Sequence, residues 1–108
     1  MAKYLVKASY TAEGARGLLK DGGSKRRAVA EQALKSAGGT LEAFYFAFGE
    51  ADAFIIIDAP DHATVAAASL AINASGAIRT ETIVLLTPEE IDAAVKKSAG
   101  MTYRAPGS

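Results

Sequence analysis

Two apolar segments joined by a short turn constrain this chain more than any other feature. Phe44–Phe48 and Phe54–Ile57 carry apolar side chains at successive positions, which is typical of strands whose two faces are both hydrophobic. Gly49 and Asp52 flank a pair of residues and predict a two-residue hairpin turn between them. Helices can cover one face of this hairpin, so its other face needs a second layer.

Pairing Gly49 with Asp52 assigns the side chains of the hairpin to its two faces. One face then carries Phe44, Phe46, Phe48, Ala53, Ile55 and Ile57. The opposite face carries Tyr45, Ala47, Phe54 and Ile56. A monomer would leave on the order of several hundred Å² of apolar sheet in water, which soluble proteins rarely do. We therefore expect sheets from two copies of the chain to pack face to face as a dimeric α+β barrel.

The length and composition are those of one folded domain. The chain has 108 residues, of which 50% are apolar, and its 12 basic residues balance its 12 acidic residues. Residues 1–98 are assigned to a single domain and residues 99–108 to a C-terminal tail without a periodic pattern. A chain with zero net charge lacks the basic surface that a general nucleic-acid-binding protein needs.

The sequence contains no cysteine, which excludes disulfides, thiolate nucleophiles and cysteine-ligated metals. Lys7 interrupts the hydrophobic run at the N-terminus, so no signal peptide is expected there. No apolar stretch approaches the roughly 20 residues that a membrane span needs. These observations predict a cytoplasmic protein that binds neither nucleic acid nor a membrane.

The remaining elements are predicted from periodicity and from start and stop signals. They are a strand at 4–10, helices at 12–20, 24–37 and 61–73, a strand at 78–86 and a last helix that begins at 87–90. Thr11, Ser24 and Asp61 are the expected N-caps, and Gly38 lies where a left-handed C-cap belongs. The order β-α-β-β-α-β plus a C-terminal helix predicts an α+β, ferredoxin-like fold with helices on one sheet face.

The alternation of side chains also predicts which residues lie on the sheet face without helices. Lys7, Arg79 and Glu81 are assigned to this open face, because burying three charges under helices would be costly. The same face also carries Leu5, Ile83 and Leu85. A surface that is half polar and half apolar suggests an interface combined with the wall of a cavity.

Several short segments occur in order between about residues 3 and 90. They are Tyr4–Thr11, Ser24-Lys25-Arg26, Gly38-Gly39, the strand around Tyr45, Gly49-x-x-Asp52, Ala59-Pro60-Asp61 and Gly76–Thr82. Together they resemble the GYD-domain proteins. The resemblance implies a small bacterial protein with a ferredoxin-like fold of the dimeric α+β barrel type and no assigned activity.

The hairpin departs from the family's signature at one position. It reads Gly49-Glu50-Ala51-Asp52, so an alanine stands where the signature has a tyrosine. A ligand-binding role of that tyrosine in relatives would not transfer to this chain. Gly49 and Asp52 remain, which suits a structural role in the turn.

The charged cluster of Lys7, Arg79 and Glu81 is the first candidate site. Lys7 and Glu81 can face each other across adjacent strands, with Arg79 two residues along on the same side. Near a cavity, the cations could hold a carboxylate or an enolate, and the glutamate could move a proton. The alternative is an interfacial ion pair that fixes the register of a dimer.

Tyrosines form a second group of candidates. The hydroxyls of Tyr4, Tyr10 and Tyr45 could donate hydrogen bonds to a ligand, or the rings could be buried for packing with the hydroxyl in water. Tyr45 is the preferred candidate because its neighbours Ala43 and Ala47 are small.

Two further features carry weaker hypotheses. Lys25, Arg26 and Arg27 follow two glycines at a helix start, where a phosphate could bind, although the segment lacks the upstream glycine and strand of a P-loop. The alternative is a solvated face with an ion pair to Asp21. His62 is the only histidine, and a single histidine predicts no metal site. No cofactor is expected.

Two classes of function follow from these residues. The first is a homo-oligomeric small-molecule-binding or accessory protein whose partner is itself. The second is a cofactor-free enzyme, monooxygenase- or isomerase-like, in which Glu81 acts as the base and Lys7 and Arg79 stabilise an anion. The enzyme reading rests on analogy with other dimeric α+β barrels. The sequence leaves open which class applies, what the ligand is and how many subunits assemble.

Overall fold

A four-stranded antiparallel sheet with helices on one face forms the body of the protein in the computed structural model, which describes residues 1–108. The strand order is β2-β3-β1-β4. The elements are β1 (Ala2–Tyr10), α1 (Ala12–Asp21), α2 (Gly23–Ser36), β2 (Thr40–Phe46), β3 (Ala53–Ala59), α3 (His62–Ala74), β4 (Ile78–Leu85) and α4 (Pro88–Ala99). The ferredoxin-like prediction is confirmed, and the face-to-face packing of two sheets stays a prediction.

Side-chain caps begin three of the helices. The Thr11 hydroxyl accepts a hydrogen bond from the Gly14 N–H at 3.3 Å, and Asp61 accepts one from the Thr64 N–H at 2.8 Å. Thr87 and Glu90 form a reciprocal capping box at the start of α4. These bonds satisfy N–H groups that have no partner inside the helix, and they confirm the predicted helix starts.

The cap predicted at Ser24 is wrong. α2 begins one residue earlier, at Gly23, and its N-cap Gly22 makes no side-chain hydrogen bond. Gly22 has φ +83°, a conformation that glycine adopts easily, so the chain passes from α1 into α2 without a longer loop. Gly38 has φ +85° and is the left-handed glycine predicted after α2.

The hairpin turn is longer than predicted. The Ala47 N–H donates to the Asp52 carbonyl at 2.8 Å, so the loop contains four residues rather than two. Phe46 is opposite Ala53, a register shift of two residues from the predicted pairing. A shift of two preserves the faces of the strand residues, because side chains alternate with a period of two. Phe48 is the exception, since it lies in the loop and is fully exposed.

Two small clusters form the core between the sheet and the helices. The larger contains Tyr4, Leu41, Ile57, Ala59 and Val65. The smaller contains Ala8, Ala53 and Ile78. Only 11 of 108 residues are buried, so many of the apolar side chains of this chain are only partly covered within one copy.

The C-terminal helix does not join this core. None of its residues is buried, and Ile91 and Val95 are 46% and 63% exposed. The radius of gyration is 17.3 Å, whereas a compact chain of this length has about 13 Å. The extents of 56 × 33 × 22 Å agree with an elongated chain. No helix has the combination of length and apolar character that a membrane crossing requires.

Candidate functional site

A row of four side chains crosses the open face of the sheet. Tyr45 is opposite Phe54, Phe54 is opposite Lys7, and Lys7 is opposite Glu81. Neighbouring strands lie about 4.8 Å apart, so the row spans about 15 Å from β2 to β4. The strand register thus brings together, along one line, three of the residues predicted for a site and an aromatic ring between them.

A cavity of about 370 Å³ opens at the β4 end of this row. It is lined by Lys7, Ser9, Glu50, Ala51, Arg79, Thr80 and Glu81. We call it the polar pocket. The predicted cluster of Lys7, Arg79 and Glu81 therefore surrounds one cavity. Ser9 lies on the same face as Lys7, two residues along β1, as alternation predicts. The contribution of the hairpin loop was not predicted, because it depends on how the loop folds back over β1.

The charges in the polar pocket are only partly paired. Lys7 Nζ lies 4.0 Å from Glu81 Oε2, and the two side chains are 29% and 68% exposed. Such a solvent-exposed pair contributes at most about 1 kcal/mol to stability. Arg79 makes no ion pair and no side-chain hydrogen bond in the structure. The pocket therefore offers a guanidinium that is free to bind an anion.

Asp52 holds the hairpin loop against the end of β1. Its N–H donates to the Ala8 carbonyl at 2.8 Å, and its carboxylate Oδ2 accepts from the Tyr10 N–H at 2.8 Å. These bonds explain why the prediction of a two-residue turn is wrong. Asp52 is hydrogen-bonded to β1 instead of closing a tight turn with Gly49. They also place Glu50 and the buried Ala51 at the wall of the polar pocket.

The three candidate tyrosines lie in three different places. Tyr45 is on the open face and 71% exposed. Tyr4 is buried, and its hydroxyl forms a 2.5 Å hydrogen bond with Nδ1 of His62, so it serves the core. Tyr10 lies on the helix-covered face, away from the polar pocket. Burial raises the pKa of Tyr10, and the nearby Arg26 guanidinium partly offsets this rise.

A second charged cluster on the open face was missed. Lys3 Nζ donates to Glu42 Oε2 at 2.6 Å and to the two carboxylate oxygens of Asp58 at 3.2 and 3.1 Å. The hydrogen bond to Glu42, followed by those to Asp58, raises the pKa of Lys3. The alternation of β1 and β3 could have predicted the contact with Asp58. The contact with Glu42 could not be predicted, because it depends on an irregularity in pairing between Leu41 and Ala43.

The basic segment at the start of α2 is only partly neutralised. Lys25 Nζ lies 3.5 Å from the Asp21 carboxylate, which is the ion pair predicted for a solvated helix face. Arg26 turns toward the space between the helices and the sheet. No group of three or more histidines and acidic residues is arranged to hold a metal ion.

The strand order, the antiparallel register and the one-sided helix layer define a ferredoxin-like α+β protein. Within this class, the GYD domain model matches residues 4–95, and the chain therefore belongs to the GYD domain family. Neither a comparison with curated proteins nor one with solved structures found a match. The resemblance seen in the sequence segments is confirmed.

Proposed function

We propose that the protein is a homo-oligomeric binding protein in which a second copy covers the open sheet face and closes the polar pocket around a small anionic molecule. The observation that supports this most directly is the free guanidinium of Arg79 beside Lys7 at a cavity wall. Apolar side chains lie on the same face, including Phe54 and Ile83, each 38% exposed. Covering these groups removes apolar surface from water, and the lower dielectric strengthens an interaction between the cations and an anion.

Native mass spectrometry of the freshly purified full-length protein tests this proposal. We expect an oligomer that carries a constant added mass per subunit or per dimer. Arg79→Gln should remove the added mass, whereas Arg16→Gln, at an exposed position on α1, should keep it. A bare monomer would contradict the assembly, and an empty oligomer would contradict ligand binding while leaving an interfacial role for the charges.

The residue at position 51 sets the size of the polar pocket. Ala51 is 5% exposed and forms part of the cavity wall. We expect Ala51→Tyr, which introduces the signature residue of the family, to fill part of the cavity and to weaken ligand binding by at least tenfold. Retention of the added mass in the native spectrum of this variant would show that the ligand lies elsewhere. Ala63→Tyr, at an exposed position of α3, is the control.

A cofactor-free enzyme is the second candidate function. Glu50 and Glu81 lie in the same cavity as two cations, so a proton acceptor is close to groups that can stabilise an anion. In this case Glu81 is the base, and Lys7 and Arg79 stabilise the anion. Incubation of the loaded protein in D₂O distinguishes the candidates. An enzyme of this type exchanges a carbon-bound proton of the ligand and loses the exchange in Glu81→Gln, whereas a binding protein exchanges none.

A further inference from the structure

A larger cavity lies on the opposite side of the sheet from the polar pocket. It occupies about 700 Å³ between the sheet, α2 and α3, and 18 of its 23 lining residues are hydrophobic. Its floor includes Val6, Phe44, Ile55 and Ile57. The size and the apolar lining are those of a small-molecule site. We call it the interhelical cavity.

The cavity exists because both helices present small side chains to it. The α2 wall includes Val29, Ala30, Ala33 and Leu34, and Ala37 continues it directly after the helix. The α3 wall includes Ala67, Ala68, Ala71 and Ile72. Apolar residues recur along this side of α2 at helical spacing, which favours burial, yet no residue of α2 is buried. Alanine side chains are too short to meet across the gap, so the helices rest on the sheet without filling the space between them.

One end of the interhelical cavity is polar. Arg26 is the only charged residue that lines it, and the Tyr10 hydroxyl lies close enough for the guanidinium to influence its pKa. Arg26 makes no ion pair, whereas its neighbour Lys25 is paired with Asp21. The Tyr10 hydroxyl donates no hydrogen bond to another residue. The Arg26 guanidinium and the Tyr10 hydroxyl therefore lie side by side at the end of an apolar cavity, and neither is bonded to a carboxylate.

We infer that the interhelical cavity binds an amphiphilic carboxylate of the fatty-acid type. The carboxylate accepts hydrogen bonds from Arg26 and Tyr10, and the hydrocarbon chain lies between α2 and α3 over Phe44 and Ile55. A guanidinium binds a carboxylate through two parallel hydrogen bonds, which favours an acid over an alcohol or an amine. The α2 wall from Arg26 to Ala37 is about 16 Å long, enough for a medium-length chain.

Isothermal titration of the full-length protein with decanoate tests the polar end of the site. We expect one decanoate per chain. Arg26→Gln should weaken binding at least tenfold, whereas Arg27→Gln, one residue along and outside the lining, should leave it unchanged. Decan-1-ol should bind the wild type more weakly than decanoate. Equal losses in the two variants would indicate non-specific attraction to the basic helix start, and no binding by the wild type would overturn the inference.

A second pair of variants tests where the hydrocarbon chain lies. Ala68→Leu places a larger apolar side chain in the cavity, whereas Ala66→Leu makes the same change at an exposed position of α3 outside the lining. After circular dichroism has shown that both variants are folded, we expect Ala68→Leu to lose decanoate binding and Ala66→Leu to keep it. Unchanged binding in Ala68→Leu would show that decanoate lies outside the interhelical cavity and would overturn the inference.

The outcome of the decanoate experiments does not depend on the proposed function, because the interhelical cavity and the polar pocket lie on opposite faces of the sheet. A chain that remains monomeric can still bind decanoate, and Ala51→Tyr should leave this binding unchanged. A neighbouring copy could instead insert α4 between α2 and α3. In that case the wild type fails to bind decanoate and Ala68→Leu lowers the oligomer mass in light scattering, which also overturns the inference.

Discussion

At the scale of single residues, Gly14 is the buried residue of α1 and lies directly against the segment before β4. A Cβ atom added there would overlap the carbonyl oxygen of Ala77, the same oxygen that accepts the Thr11 N–H at 3.0 Å. Gly17, one turn later, has open space around it. Glycine is therefore required at the first position and is only a poor helix former at the second.

We expect opposite effects of alanine at these two glycines. Gly14→Ala should lower the free energy of unfolding by about 1–3 kcal/mol, because the backbone of α1 must move away from Ala77. Gly17→Ala should raise it by up to about 1 kcal/mol, because alanine favours the helix. Urea titration followed by circular dichroism measures both changes. A stabilised Gly14→Ala variant would show that α1 is not held against the loop before β4.

The caps also give stability a dependence on pH. The hydrogen bond from the Thr64 backbone N–H to the Asp61 carboxylate lowers the pKa of Asp61 below its usual value of 3.8. A lowered folded-state pKa means that the charged cap stabilises the protein above the unfolded-state pKa and loses this effect as the pH falls through the folded-state pKa.

Asp61→Asn removes the negative charge but keeps a side chain that can cap the helix, because asparagine is as good an N-cap as aspartate. We expect the variant to be less stable than the wild type at pH 7 and to differ less from it as the pH is lowered from 5 toward 2. Thermal unfolding over this range measures the difference. A constant difference between the two proteins at all pH values would contradict the assignment of the pKa shift to Asp61.

At the scale of elements, α4 and α3 make very different contributions to the body. α3 packs on β3 and β4 and buries Val65, whereas α4 buries none of its residues. The capping box and the proline at the start of α4 explain why it forms a helix, since these are local signals. Local signals do not decide where a helix packs.

A proline in the middle of each helix tests this difference. Ala94→Pro should break α4 and lower the helical signal while the urea midpoint of the body stays nearly unchanged. Ala67→Pro should break α3 and cost about 3 kcal/mol or more. A large loss of stability in Ala94→Pro would mean that α4 packs in solution against the sheet and helices of its own chain or of another copy.

In the hairpin, the sequence predicted the faces of the strand residues but not the length of the turn. Alternation placed Phe44 and Phe46 on one face and Tyr45 on the other, and the structure agrees, with Phe44 packed on the core. The predicted two-residue turn was wrong, because Asp52 forms hydrogen bonds with β1, a strand more than 40 residues earlier in the chain. No local pattern in Gly49–Asp52 reports such a partner.

At the scale of the whole molecule, apolar side chains on the open face and on the projecting α4 are exposed in one copy of the chain. Ile83 is 38% exposed on the open face, and Val84 is 51% exposed on the other. If the open face is the interface between copies, a charge at Ile83 must be buried without a partner when they associate, which opposes association.

We expect Ile83→Asp to convert the oligomer to a monomer at micromolar concentration, as measured by light scattering. Val84→Asp, the adjacent residue on the opposite face, is the matched control and should keep the wild-type mass. Loss of the oligomer in both variants would point to general destabilisation. An unchanged mass in Ile83→Asp would mean that the copies meet through another surface.

The sequence by itself determined the elements, their order and the faces of their residues, because hydrophobic periodicity and capping are local properties. It therefore predicted that Lys7, Arg79 and Glu81 share a face. Only the tertiary structure decided that Glu50 joins them in a pocket, that Arg26 reaches Tyr10, and that the alanines of α2 and α3 enclose a cavity. These outcomes depend on loop anchoring and on distances between elements, which no pattern along one segment encodes.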